Sequence, residues 1–182
     1  TVAFADSDPA VAADAAAGRD AETVRVDAET THDAVWLAVP MSAVPDAVAA
    51  YAPRAERAIF DVSGEMTDAV AAMRDHAPDC ERASYHPLFA PPRVPGNVAA
   101  VVDAGGPVIE GIGAAIEAGG NDVFETTPAE HDEAMETVQA GAHAAVLAWR
   151  LAGEAVRDEF HTPVSAALDE VADTVTAGDP SV

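Results

Sequence analysis

"AVWLAVPMSAVPDAVAAYAPRAERAIFDVS", Ala34 to Ser63, holds two short apolar runs with a helical segment between them. The runs "AVWLAVP" (Ala34 to Pro40) and "RAIFDVS" (Arg57 to Ser63) read as strands, and Val44 to Ala52 reads as a helix. The same alternation continues in both directions. Upstream, Val2 to Ala5 reads as a strand followed by an acidic turn and a helix with Pro9 near its first turn, and Thr23 to Val26 reads as another strand. Downstream come a helix at Thr67 to His76, a strand around Ala83 to Tyr85, a strand at Asn97 to Val102, a helix at Pro107 to Ala118 and a strand at Asp122 to Phe124. Strands alternating with helices at this spacing predict an α/β fold with a parallel, doubly wound sheet. Several of the strands are continuous apolar runs, as a sheet covered on both faces requires.

The pattern changes after residue 126. Pro128 begins a long alanine-rich helix, and "TPVSAALDEVADTV" from Thr162 begins another with proline in its first turn. Two regions are therefore expected: 1–126 as the α/β domain and 127–182 as a partial all-α region. The helical region is too short for a core of its own, so it must pack on the first domain, on a partner subunit or on segments outside this chain. There is no internal repeat and no low-complexity linker.

Composition narrows the function classes. The 182 residues include 32 acidic and 9 basic ones, every basic residue is arginine, and the net charge is −23. Such self-repulsion is relieved at molar salt, where the Debye length falls to about 3 Å, so the chain suits a salt-loaded cytoplasm of haloarchaeal type. Nucleic acid and anionic membrane are excluded as partners because either needs a basic face. Apolar residues make up 49% of the chain, enough for a real core, yet no run reaches the roughly 18 apolar residues of a membrane span. No export signal stands at the N-terminus. Cys80 is the single cysteine, which rules out an intrachain disulfide and fits a reducing compartment.

Three stretches carry candidate chemistry. In "ASYHPLFAPPRVPGNVAAVV" (Ala83 to Val102), His86 stands where a short apolar run meets a loop with four of the thirteen prolines. It is either a general base, with an imidazole of ordinary pKa near 6.5, or a histidine bonded within a turn. In "VAFAD", Asp6 ends the first strand. It is either the acidic residue that binds the adenosine ribose of a dinucleotide or a helix N-terminal carboxylate ahead of Pro9. The first reading places the sheet's first strand and its Gly-rich turn outside this chain. "GIGAAI" (Gly111 to Ile116) mimics a Gly-rich cofactor loop but lies within a helix and has Ile116 in the third position. On the long helix, His131 and His143 are twelve residues apart, roughly 120° around a regular helix, while Gln139 and His143 share a face. Neither histidine has a partner for a metal site, and no metal is expected.

Taken together, "AVWLAVPMSAV", "IFDVSGEM", "SYHPLFAPP" and "TPAEHDEAMETVQAGAHAAVLAW" resemble the prephenate and arogenate dehydrogenases of tyrosine biosynthesis. The resemblance implies a Rossmann-type fold and oxidative decarboxylation of prephenate or arogenate with NAD, NADP being disfavoured by Asp6. It makes His86 the acceptor of the ring-hydroxyl proton and places Ser63 beside the nicotinamide, with helix N-capping as the other reading of Ser63. Val39, Pro40 and Met41 would border the cofactor. His131, Gln139 and His143 would face the substrate; solvated surface and helix–helix packing are the other readings of these residues. A homodimer through the C-terminal helices is implied as well. The chain departs from the family in two places. "SAALDEVADTV" lacks the arginines that bind the substrate carboxylates, and Met66 stands where a lysine is usual. Arg93 is the nearest remaining cation, with Arg150 and Arg157 behind it. A non-catalytic ligand-binding or dimerisation module of the same fold, or an oxidoreductase acting on hydroxyacids or imines, are the alternatives.

Overall fold

The computed structural model describes residues 1–89, 93–152 and 158–177. These divide into two compact units, Thr1–His32 and Asp33–Val182. In the first, β1 (Val2–Phe4) and β2 (Ala21–Thr23) pair in parallel and α1 (Pro9–Ala16) connects them. Asp8 caps α1 by accepting the Ala10 N–H at 2.9 Å, and Pro9 takes the first helical position, where its missing N–H costs nothing. β2 ends earlier than expected because Arg25 and Asp27 form an ion pair and Ala28 N–H closes a turn on the Arg25 carbonyl.

The second unit holds β3 (His32–Leu37), α2 (Val44–Tyr51), β4 (Ala55–Val62), α3 (Thr67–His76), β5 (Glu81–Pro87), β6 (Asn97–Ala104), α4 (Pro107–Ala118) and β7 (Asp122–Glu125). The sheet order is β3-β4-β5-β6-β7. β4 and β5 are parallel, as are β6 and β7, but β5 and β6 run antiparallel. The expected parallel sheet is thus found with one antiparallel step, between β5 and β6. Residues 88–96 are too few for a crossover, which needs about a dozen residues or more, so the chain reverses instead.

Alternation along the strands separates two cores. Ile59, Ala99 and Val101 lie against Val44 and Val48 of α2 and Val70 and Met73 of α3, while Ala58, Phe60, Tyr85 and Val98 lie against Ile109 of α4. Fully burying a side chain such as Val48, Val70 or Met73 contributes about 1.5–3 kcal/mol. Beyond β7, α5 (Pro128–Met135) passes through a π-helical stretch, Glu136–Ala140, into α6 (Gly141–Ala152). α7 (Pro163–Ala177) packs on α6, with Trp149 Nε1–H donating to Asp169 and Arg150 paired with Asp173. Among the described residues no helix is long and apolar enough to cross a membrane.

Candidate active site

The period of two in β4 and β5 puts Asp61, Ser63, Ser84 and His86 on the sheet face covered by α2 and α3. Asp61 and Ser84 are register partners. His86 lies in the strand itself, one residue from its end, and is half-buried. Its Nδ1 is 2.9 Å from Nε2 of His131, and the two rings cross at 70° with centroids 5.1 Å apart.

His131 reaches this position because α5 begins sharply. Thr127 Oγ1 accepts the Glu130 N–H at 3.2 Å, and Pro128 occupies the first helical position. His131 is 3% exposed, which overturns the solvated-surface reading. Its Nδ1 is 2.8 Å from Oδ1 of Asp132. The Asp132 carboxylate also accepts the Met66 N–H at 2.9 Å on Oδ1 and the Thr67 N–H at 3.0 Å on Oδ2. Met66 is the N-cap of α3 and supplies no side-chain cap, so Asp132 takes that role from the start of another helix. Ser63 does not cap α3; its hydroxyl donates to the Glu65 carbonyl at 2.7 Å.

These contacts set the charges. Burial, the neighbouring His131 and a smaller opposing pull from Asp132 leave the His86 pKa below its ordinary value. Burial pushes the Asp132 carboxyl up, but the Met66 amide, Thr67 and His131 outweigh it and hold it below the usual carboxylate range. Asp61 differs. Fully buried, it is pushed up by desolvation, with Ser63 and Ser84 near enough to offset this only partly. Neither carboxyl oxygen makes a hydrogen bond of ordinary geometry among the described residues, nor does Ser84 Oγ.

On the far side of His86 is Gly64. A Cβ built there would stand 3.8 Å from His86 Nε2 and 2.9 Å from Met41 Sδ, so the bare glycine backbone leaves a gap between the two side chains. Gly64 and Met41 open onto a cleft of about 750 Å³ that Asp132, Gln139 and His143 also line. Five carboxylates, those of Glu65, Asp68, Asp132, Glu133 and Glu136, face this cleft, and no arginine or lysine does among the described residues. The π stretch holds Gln139 and separates His131 from His143, so the rotation of a regular helix does not apply to this pair.

The other candidates lie elsewhere. Val39 packs against the α2–α3 core, and Pro40 is exposed at the head of the Met41–Ala43 turn. Arg93 is exposed and not among the cleft-lining residues; Arg150 is held by Asp173; Arg157 falls outside the described residues. Asp6 belongs to the first unit, at the end of β1, where it lines a cleft of about 380 Å³ with Thr23 and Arg25. Its Oδ1 accepts the Asp8 N–H at 2.8 Å.

Sequence reading missed Asp132, Gly64 and Asp61 as parts of this arrangement. Asp132 was visible only as the last residue of the Glu-His-Asp run. Gly64 announced nothing until Met41 and His86 were seen to flank it.

No protein-family model matches the chain. A 4-amino-4-deoxyprephenate dehydrogenase of Streptomyces pristinaespiralis is 33% identical over 161 residues, covering 82% of this chain and 54% of that protein. The chain thus spans about half the length of this curated relative. In fold it is similar to prephenate dehydrogenase from Aquifex aeolicus, solved with hydroxyphenyl propionate and NAD+, at TM-score 0.73 and 13% identity, covering 98% of this chain and 69% of that one. It is also similar to Synechocystis arogenate dehydrogenase, at TM-score 0.59 and 15% identity, covering 90% of this chain and 72% of that one. The mixed α/β fold is that of these Rossmann-type enzymes, and the chain is a relative of the prephenate and arogenate dehydrogenases.

Proposed function

We propose that the protein is an NAD-dependent dehydrogenase that oxidatively decarboxylates prephenate or a close amino analogue, with His86 as the base. The observation that carries this reading is the His86–His131–Asp132 chain, whose Asp132 lines the cleft and whose His86 lies beside the cleft-lining Gly64. It supplies a neutral imidazole whose Nε2 faces the gap at Gly64. The face of the cleft bordered by Met41 and Gly64, next to His86, is where the nicotinamide end of the cofactor would lie. Met41, Pro40, Val39 and Gly64 would hold that end; in the first unit, taken by itself, Asp6 is the candidate for a ribose hydroxyl, where a carboxylate disfavours a 2′-phosphate. When bound, NAD accepts a hydride. His86 takes the proton from the hydroxyl or amino group on the carbon that loses the hydride. As the ring carboxylate leaves as CO₂, its bonding pair completes the aromatic ring and the borrowed proton returns to the oxygen or nitrogen. No net proton is released, so His86 must be able to give the proton back, as an imidazole can.

We infer that residues 1–126 form the dinucleotide-binding domain and 127–182 the substrate and dimerisation region. Ser63, His131, Gln139 and His143 then belong to the substrate side, and Arg93 remains a candidate for a substrate carboxylate. Leu147, Leu151, Val164 and Val171, exposed on α6 and α7, support a homodimer. The expected location is a salt-rich cytoplasm.

One observation bears on the choice of substrate. Five carboxylates in the cleft favour a substrate bearing an amino group, and the S. pristinaespiralis relative is named for such a compound. The test is NADH formation at molar salt with prephenate, arogenate and 4-amino-4-deoxyprephenate, alongside NAD binding by calorimetry. Turnover of at least one is expected, with the higher kcat/KM for an amino-bearing substrate. Bound NAD without turnover of any of the three contradicts the reading and selects a non-catalytic module; turnover of a hydroxyacid or imine instead selects a related oxidoreductase.

A further inference from the structure

We propose that Asp132 and His131 are a positioning pair that fixes His86 as its Nδ1–H tautomer, leaving Nε2 bare toward Gly64, and that the same carboxylate ties this histidine pair to the β4–α3 turn. The proposal rests on the reading of His86 as a base for its consequence, but not for its test.

The argument runs along the chain of contacts. An ionised carboxylate only accepts hydrogen bonds, so the proton in the 2.8 Å contact sits on Nδ1 of His131. A neutral His131 then presents a lone pair at Nε2. The 2.9 Å contact therefore requires His86 to donate from Nδ1, and a neutral His86 keeps its own lone pair at Nε2. The opposite arrangement, a cationic His131 donating to His86 Nδ1, would put the His86 proton on Nε2 and remove the base. The first arrangement leaves both rings of this contact uncharged, so no cation has to be desolvated beside a side chain that is 3% exposed.

The carboxylate that starts this chain is itself fixed. Three donors, the amides of Met66 and Thr67 and Nδ1–H of His131, converge on its two oxygens, two of them on Oδ1. The Met66 and Thr67 amides follow Ser63 and Gly64 with only Glu65 between, so one side chain of α5 sets both the orientation of His86 and the backbone turn its Nε2 faces. Asparagine is a poor replacement: its oxygen could accept the two donors on Oδ1, but its NH2 would meet the Thr67 N–H donor against donor, and its alternative orientation would turn that NH2 toward the Met66 amide and His131.

The test is the protonation pattern of the imidazole nitrogens, read by long-range ¹H–¹⁵N correlation on the ¹⁵N-histidine-labelled protein at neutral pH, with His86 assigned from His86→Asn. The expected pattern is Nδ1 protonated and Nε2 bare on both His86 and His131. In Asp132→Asn and His131→Leu, His86 should shift to a mixture including the Nε2–H form. In His131→Gln it should keep the parent pattern, because a glutamine carbonyl can accept from His86 while its amide donates to Asp132. An Nε2–H His86 in the parent, or a His86 tautomer unchanged in His131→Leu, overturns the proposal. If Asp132→Asn fails to fold, the parent and the two His131 variants decide alone. No substrate is involved, so a fixed tautomer in a protein that turns nothing over would leave this proposal standing and defeat the functional one. Where turnover is present, His131→Leu should lower kcat by roughly 10²-fold with KM little changed, and His131→Gln should recover most of the loss.

Discussion

His131 holds His86 through a 2.9 Å contact between ring nitrogens, although the two residues are 45 positions apart in the chain. The contact joins the end of a central strand to the first turns of α5, and it gives His86 a defined orientation. A buried histidine held between a half-buried histidine and a carboxylate is a costly arrangement for packing alone, since three polar side chains must be partly desolvated and matched. As the support of a base, each contact has a purpose.

His86→Asn removes the base and keeps the size of the side chain near that of the parent. The rate of NADH formation should fall by about 10²- to 10⁴-fold, while NAD affinity measured by calorimetry changes little. Retention of the parental rate would eliminate His86 as the proton acceptor.

Gly64→Ala adds a methyl whose carbon would stand 2.9 Å from Met41 Sδ. The thioether is flexible and can move aside, so unfolding midpoints should shift only modestly. The gap beside His86 Nε2 is narrowed, and KM for NAD should rise. NAD affinity in Gly64→Ala equal to that of the parent would show that the cofactor does not lie against this stretch of backbone.

Asp61 predicts a pH dependence of stability. Its carboxyl is pushed up by burial, so above about pH 4 the unfolded chain has released a proton that the folded protein still holds. Stability then falls as pH rises through the window between the ordinary and the raised pKa, and stays level above it. Asp61→Asn cannot titrate and should lose this fall. Urea midpoints of the two proteins, measured from pH 4 to pH 8, should therefore diverge in favour of Asp61→Asn as pH rises; curves that stay parallel would show that Asp61 does not titrate abnormally.

With 32 acidic residues against 9 basic ones, the melting temperature should climb steeply between about 0.1 M and 1 M KCl, where the Debye length shrinks from about 10 Å to about 3 Å. Calorimetric scans over that range check this. A flat response would mean the acidic surface is already accommodated in dilute buffer.

Much of this molecule was legible in the sequence because its signals are local. α3 at Thr67–His76 and α4 at Pro107–Ala118 fall where periodicity and the proline of α4 put them, and the sheet is parallel as read at β4–β5 and β6–β7 but not at β5–β6. The antiparallel β5–β6 pair had a sequence signal that the strand–helix alternation masked: the connection between the two strands is too short for a crossover. At the site, the Glu-His-Asp run marked His131 and Asp132, but their roles depend on partners far away in sequence. Asp132 meets an amide 66 residues upstream, and no spacing rule reveals such a contact. Asp61 lies within a run that reads simply as a strand; its surroundings depend on Ser84, its register partner on the next strand.

The most direct test of the central claim follows one deuterium atom. A substrate deuterated at the ring carbon that bears the hydroxyl or amino group is incubated with NAD and the protein at molar salt, and the cofactor and the released CO₂ are both quantified. The account predicts that the deuterium moves to the reduced nicotinamide in one-to-one proportion with CO₂, at a rate that collapses in His86→Asn. Reduced cofactor without CO₂, CO₂ without label on the cofactor, or an undiminished rate in the variant would contradict it.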